Sequence, residues 1–193
     1  MPALVHDGLV LTESTPMMEH IDGAFAGPPL RPADLWLRAE MRVWTKYVDE
    51  HFCPALTVLG AHNATAFASK IDKPEAARRL EAMPNAEVRR KWERVFESGY
   101  SDEELADARG RLARVAAKLE RHLAQGGPWL LGTGYSLADI KWYSMVPGMP
   151  RLVPEICNPE ATPAIACWLE QMAASPPVAA LEQYRPALAN NSG

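Results

Sequence analysis

Beyond residue 33, apolar side chains recur at every third or fourth position along most of the sequence. One series comprises Leu37, Met41, Trp44, Val48, Phe52, Ala55 and Leu59. A second comprises Leu105, Ala108, Leu112, Val115, Leu119 and Leu123. Residues at this spacing share one face of an α-helix, which is buried against a core. The pattern predicts an all-α domain over residues 34–193, with a kink at Pro54 because proline removes a backbone N–H.

Two capping boxes mark helix starts within this domain. Ser101 and Glu104 stand three positions apart, just before the second apolar series. In such a box each side chain satisfies a free N–H group of the first helical turn. Ser136 and Asp139 repeat the spacing before LADIKWYSMV, residues 137–146, which is apolar on most sides. We therefore predict a buried central helix over 137–146, with Ser136 and Asp139 as a structural capping box.

The first 26 residues have a different character. Two short apolar runs flank Asp7-Gly8, a dipeptide that predicts a tight β-hairpin turn. A helix is predicted from about Ser14 to Ala24, and the prolines that follow predict an extended linker over residues 27–33. Because an isolated hairpin is only marginally stable, we interpret residues 1–26 as the remnant of a larger sheet-containing domain.

Composition and charge limit the classes of function. The chain of 193 residues carries a formal net charge of −4, which gives no reason to expect nucleic-acid binding. No segment has the roughly 18 consecutive apolar residues of a membrane helix, so no membrane partner is expected either. Three scattered cysteines argue against a disulfide framework. A cytoplasmic location is therefore predicted.

Several stretches of the sequence resemble the glutathione transferase superfamily. MPALVHDGLVLTES is similar to the second half of its thioredoxin-like domain, and GYSLADI to the capping box of its all-helical second domain. TPAIACWLEQMAASPPVAAL resembles the closing helices of that domain. Three further stretches resemble the bacterial β-etherase branch, which cleaves lignin-type aryl ethers with glutathione. They are RPADLWLRAEMRVWTKYVDEHFCPALTVLG, VRRKWERVFESGYSDEEL and LGTGYSLADI.

The resemblance implies a helical C-terminal domain preceded by a truncated thioredoxin-like α/β domain. It also implies a glutathione-dependent transferase or ether-cleaving lyase, whose glutathione thiolate attacks an aromatic electrophile, and a homodimer when the chain is complete. The family opens with a strand, a helix and a second strand that hold its thiol-activating Ser, Cys or Tyr. We therefore expect the catalytic residue upstream of Met1. The alternative is a non-catalytic helical binding module or a truncated product.

By the same resemblance, glutathione binds at Met1, Pro2, Glu13 and Ser14. A helix N-terminus and the Ser14 hydroxyl suit the γ-glutamyl carboxylate, and the Glu13 carboxylate suits the neighbouring ammonium. A cis peptide bond before Pro2 would turn the Met1 backbone toward the cysteinyl part of glutathione. Taken alone, a glutamate and a serine near a helix start are more common as caps and dipole partners.

The long helix after the linker is implied to form a wall of the pocket for the hydrophobic aromatic substrate. Its candidate lining residues are Trp44, Tyr47, His51 and Phe52. Aromatic residues at helical spacing are more often plain core, and that alternative stands beside the pocket role. Neighbouring positions on a helix point in different directions, so His51 and Cys53 do not predict a metal site.

Overall fold

The computed structural model describes residues 2–132 and 134–181. Its strands are β1 (Ala3–His6) and β2 (Leu9–Thr12). Its α-helices are α1 (Ser14–Ala24), α2 (Leu35–Tyr47), α3 (Cys53–Ala68), α4 (Lys73–Glu81), α5 (Ala86–Glu97), α6 (Asp102–Gly126), α7 (Leu137–Tyr143), α8 (Met149–Leu152), α9 (Pro163–Ala174) and α10 (Pro176–Leu181). A π-helical turn (Val48–Phe52) joins α2 to α3, and a 3-10 turn (Val146–Gly148) precedes α8. The mostly α fold class is confirmed. None of the described helices is both long and apolar enough to cross a bilayer.

The predicted hairpin forms from β1 and β2. The strands pair antiparallel, from Ala3 opposite Thr12 to His6 opposite Leu9. Both turn residues have positive φ, 51° at Asp7 and 77° at Gly8. That conformation matches the twist of two antiparallel strands joined by a two-residue turn, and glycine adopts it at little cost. The hairpin then leads directly into α1.

The two apolar series form the core of the helical domain. In the first series, every member after Leu37 has at most 5% of its surface exposed, whereas Leu37 itself is 36% exposed. Every member of the second series is also buried. The two meet because α6 packs against α3, the π-helical turn and, on another side, α9. Helical periodicity therefore located the core correctly.

The interruption predicted at Pro54 takes the form of a π-helical turn. The Cys53 N–H bonds to the carbonyl of Val48, five residues earlier, where an α-helix would use the residue four earlier. Proline lacks the N–H of the α-helical pattern, and its ring collides with the carbonyl four residues before it. The wider turn accommodates this proline, and it presents Asp49 at the start of the irregular segment.

The capping box at the start of α7 is buried and includes more than the two predicted side chains. The Asp139 carboxylate accepts hydrogen bonds from the Ser136 N–H at 3.0 Å, the Leu130 N–H at 2.9 Å and the Trp168 indole at 3.2 Å. Burial raises the pKa of Asp139, and these hydrogen bonds oppose the rise. The carboxylate thus ties the start of α7 to the loop before it and to α9.

Helix α7 is shorter than the sequence pattern suggested. It ends at Tyr143, and the chain continues in the 3-10 turn Val146–Gly148. Pro147 has no N–H to donate to the Tyr143 carbonyl, so the helix cannot extend through it. Within α7, Trp142 is fully buried, and its indole donates to the Trp44 carbonyl at 3.2 Å. The predicted central position of this helix is confirmed.

Residues 27–33 are held against both of the units that they connect. The Asp22 carboxylate on α1 accepts a hydrogen bond from the Leu30 N–H at 2.6 Å and pairs with the Arg31 guanidinium at 2.6 Å. Burial alone would raise the pKa of Asp22, but these two donors hold it below its usual value. The Leu137 N–H then donates to the Leu30 carbonyl. The predicted linker is therefore fastened to α1 and to the start of α7.

We predict that replacing both Ser136 and Asp139 by alanine lowers the free energy of unfolding by more than about 1 kcal/mol, because buried N–H groups lose their acceptors. Urea denaturation measures this loss. The matched control is the double alanine variant of Ser101 and Glu104, an exposed capping box whose N–H groups water can satisfy. A loss at Ser136 and Asp139 no larger than the control would contradict the structural role.

Candidate functional site

Glu13 links β2 to α1 in an unusual backbone conformation. Its φ is 70° and its ψ is 121°, and its exposed side chain makes no capping hydrogen bond to the helix. A residue other than glycine in such a sparsely populated region costs about 1–3 kcal/mol and is found mainly at functional sites. The capping role considered for Glu13 is therefore absent from the structure, and the carboxylate faces solvent beside the helix start.

The start of α1 offers donors to an anion. Ser14 is the first helical residue and Thr15 the second, and the N–H groups at these positions have no partner within the helix. Pro16 follows and contributes no N–H. Helix N-termini attract anions through these groups and the helix dipole. Pro2 lies exposed just before β1, whereas Met1 and the Met1–Pro2 peptide bond lie outside the described residues.

A buried lysine from the helical domain reaches the corner formed by Glu13 and Ser14, where β2 leads into α1. The Lys141 side chain, on α7, is 5% exposed, and its ammonium lies 2.6 Å from an Asp49 carboxylate oxygen. The same ammonium donates to the Ser14 hydroxyl oxygen at 2.6 Å. The Thr15 hydroxyl in turn donates to the second oxygen of Asp49 at 2.8 Å. Helix α7 and the π-helical turn thus both contact the start of α1.

The role of Lys141 was not predicted from the sequence. Within the apolar stretch LADIKWY the lysine is an exception, and lysine is almost never fully buried unless paired. That exception was a detectable signal. Its partners were not detectable, because Ser14 lies 127 positions away in the chain. The capping box sets its position, since Asp139 fixes the start of α7 two residues earlier.

The predicted pocket residues occupy two environments. Trp44 and Phe52 are 5% and 0% exposed and pack in the core, where both contact Trp142. Tyr47 is half-buried and stacks parallel to the Trp142 ring at 6.1 Å. His51 is exposed, with its ring 4.6 Å from that of Tyr47. Tyr47 and His51 are therefore the more accessible pair, and the pocket role of all four residues stays a prediction.

A cavity of about 630 Å³ opens between α3 and α5. Its lining consists of Asp49, Cys53, Pro54, Thr57, Val58, Glu87, Arg90, Lys91, Arg94 and Tyr100. Asp49 thus belongs both to the contact with Lys141 and to this wall. Arg94 is engaged elsewhere, since it pairs with Glu104 at 2.7 Å and lies over the Tyr100 ring. No group of three metal-binding side chains occurs within residues 2–132 and 134–181.

We predict unequal effects on stability for the two partners of the buried ion pair. Asp49→Ala leaves the Lys141 ammonium buried without its carboxylate, so it should lower the free energy of unfolding by about 1–3 kcal/mol. Lys141→Met replaces the charge by an apolar chain of similar length, so it should change stability little or increase it. Urea denaturation of both variants and of the double variant tests this. If the double variant does not recover the loss caused by Asp49→Ala, the ion-pair explanation is wrong.

Comparison with known proteins identifies relatives along nearly the whole chain. The model of the glutathione S-transferase C-terminal domain matches residues 64–176. Protein LigF from Sphingobium sp. (strain NBRC 103272 / SYK-6) is 38% identical over 185 residues, which cover 92% of this chain and 71% of LigF. The crystal structure of β-etherase LigF from that strain matches with a TM-score of 0.86 and 36% identity, covering 95% of this chain and 77% of LigF's.

A more distant solved structure has the same fold. A glutathione transferase homologue from Sulfitobacter, crystallised with bound glutathione, matches with a TM-score of 0.60 and 21% identity, covering 95% of this chain and 81% of that one. At that identity the match supports the fold alone. The identity to LigF, which extends over 92% of the chain, and the match to the domain model together establish the family. The chain belongs to the glutathione S-transferase family.

Proposed function

We propose that this protein is a glutathione-dependent transferase or ether-cleaving lyase that acts on an aromatic substrate. The similarity to LigF, described as a β-etherase, supports the ether-cleaving form of the reaction. Glutathione binding is supported by the arrangement of Glu13 and Ser14 where β2 leads into α1. There an exposed carboxylate on a strained backbone stands beside a helix start with free N–H groups. The γ-glutamyl end of glutathione has an ammonium and a carboxylate on the same carbon. These two groups match the Glu13 carboxylate and the helix start at Ser14.

In the proposed binding mode, the γ-glutamyl carboxylate accepts hydrogen bonds from the Ser14 hydroxyl and from the first N–H groups of α1. The Glu13 carboxylate pairs with the ammonium of the same residue. The backbone of the cysteinyl residue pairs with the chain near Pro2, in the manner of an added strand. The thiol then lies away from the helix start, where Tyr47 and His51 can contact an aromatic ring.

The reaction that follows is a displacement at carbon. The glutathione thiolate attacks the carbon that carries the aryloxy group, a C–S bond forms as the C–O bond breaks, and the phenolate leaves and takes up a proton. The protein contributes position and stabilises the thiolate. We propose that the group that activates the thiol belongs to a segment upstream of Met1, and no described residue is assigned that role.

We predict that Glu13→Gln and Ser14→Ala each weaken glutathione binding by about 1–3 kcal/mol, the range for a lost hydrogen bond to a charged group. Glu13→Gln keeps the size of the side chain and removes its charge. Calorimetric titration with glutathione, made on a chain extended upstream of Met1, measures both effects. Glu170→Gln, at an exposed glutamate on α9, is the control for the loss of one negative charge. Normal binding by both site variants would exclude the proposed site.

Glutathione binding is also expected to depend on the length of the chain. The titration should compare the 193-residue chain with a chain extended upstream of Met1 as far as the coding DNA allows. We expect weak or absent binding and negligible turnover for the shorter chain, because a misplacement of about 1 Å at a reacting group can cost 10²-fold in rate. Equal affinity at both lengths would contradict that expectation.

We also propose a homodimer. Apolar side chains of the first 26 residues are exposed in the single chain, at Val5 (67%), Leu9 (73%), Val10 (65%), Ile21 (44%) and Phe25 (52%). Exposed apolar patches of this kind mark interaction surfaces in soluble proteins. Sedimentation velocity of the extended chain at micromolar concentration should therefore give a dimer, and Ile21→Glu should shift it toward monomer. A monomeric parent protein would exclude this assembly.

A further inference from the structure

The Ser14 hydroxyl has one hydrogen and two lone pairs, and the structure shows how one lone pair is used. The Lys141 ammonium is a donor without an acceptor site, so at 2.6 Å it occupies a lone pair of the Ser14 oxygen. The hydroxyl hydrogen cannot lie along that same contact. It must point away from Lys141. The Ser14 hydroxyl can therefore donate a hydrogen bond to a group on the side opposite Lys141.

The position of Lys141 makes this arrangement persistent. Its side chain is 5% exposed, and a buried ammonium is retained only where it is paired. Asp49 supplies the pairing at 2.6 Å, and Asp49 is itself fixed by the Thr15 hydroxyl at 2.8 Å. The ammonium is therefore held on the protein side of Ser14, and the part of its charge that Asp49 does not offset favours a negative group on the other side.

We propose that Lys141 is a positioning residue for the γ-glutamyl carboxylate of glutathione, acting through Ser14. The inference rests on the proposed function and assigns a further residue to the same site. Lys141 turns the Ser14 hydroxyl into a fixed donor and adds positive charge behind it, so the corner selects a carboxylate. A neutral acceptor in the same place would receive the hydrogen bond from Ser14 without the attraction of the Lys141 charge. An ammonium there would be repelled by that charge and would face the donor hydrogen of Ser14.

The effect is confined to one end of glutathione. Ser14 accepts the hydrogen bond from Lys141 at the start of α1, and the proposed binding mode places the thiol away from that point. Lys141 therefore contributes to affinity for glutathione and not to the displacement at carbon. Its removal should raise the KM for glutathione and leave kcat at saturating glutathione unchanged, which is the pattern for a lost interaction that acts equally on ground state and transition state.

The experiment compares two probes on matched variants. The probes are glutathione and its analogue γ-aminobutyryl-cysteinyl-glycine, which lacks the α-carboxylate. The variants are Lys141→Met, Lys141→Gln and Lys141→Arg, with Lys46→Met as the control at an exposed lysine. Lys141→Gln keeps a hydrogen-bond donor without the charge, and it serves in place of Lys141→Met should the methionine variant not fold. Calorimetric titration is made on the extended chain and the 193-residue chain, with melting temperatures recorded for each.

We expect Lys141→Met to weaken glutathione binding about tenfold and to leave binding of the analogue unchanged, with Lys141→Gln intermediate, Lys141→Arg near the parent and Lys46→Met equal to it. An equal loss for both probes would show a structural role and overturn the inference, as would unchanged glutathione affinity in Lys141→Met and Lys141→Gln. If the parent binds glutathione at neither length, the proposed function itself fails. That result differs from a parent that binds glutathione and variants that bind it equally well.

Discussion

The buried carboxylate of Asp139 is the interaction on which the rest of the structure depends. It accepts hydrogen bonds from Leu130, Ser136 and Trp168, which belong to the loop before α7, to the helix start and to α9. Leaving these N–H groups unpaired in the interior would cost about 1–3 kcal/mol each. By fixing the first turn of α7, Asp139 also sets the direction of Lys141 two residues later. The same device that stabilises the core therefore positions the charge behind the candidate site.

The hairpin and α1 are held to the helical domain by polar contacts as well as by the packing of Met18 on the core. Besides the contact between Lys141 and Ser14, the Arg42 guanidinium binds Glu19 with two hydrogen bonds at 3.0 and 2.7 Å. The bond to Arg42 holds the pKa of Glu19 below its usual value. A third polar contact joins Asp22 to Arg31 of the linker, whose neighbour Leu30 contacts the start of α7. Directional contacts of this kind fix the orientation of α1, so the helical domain determines where Ser14 stands.

Local sequence patterns predicted the helices and strands of this fold. They did not predict contacts between residues that are far apart in the chain. The caps at Ser101 and Ser136 and the hairpin at Asp7-Gly8 involve neighbours in the chain, so the sequence displays them directly. The contact between Lys141 and Ser14 joins residues 127 positions apart, and no periodicity encodes it. Aromatic spacing likewise could not separate buried from accessible positions on α2 and the turn after it, because burial depends on which helix packs on each face.

Two departures from ordinary preference meet at the start of α1. Glu13 holds a backbone conformation that disfavours any side chain, and Lys141 keeps a charge in the interior. Each lowers stability relative to an ideal sequence, and the surrounding core offsets the cost. Where local rules are broken together, a functional constraint explains them better than packing does. An exposed carboxylate, a hydroxyl and a buried ammonium follow one another here, and the proposed ligand, with adjacent ammonium and carboxylate groups, would match that order in one orientation only.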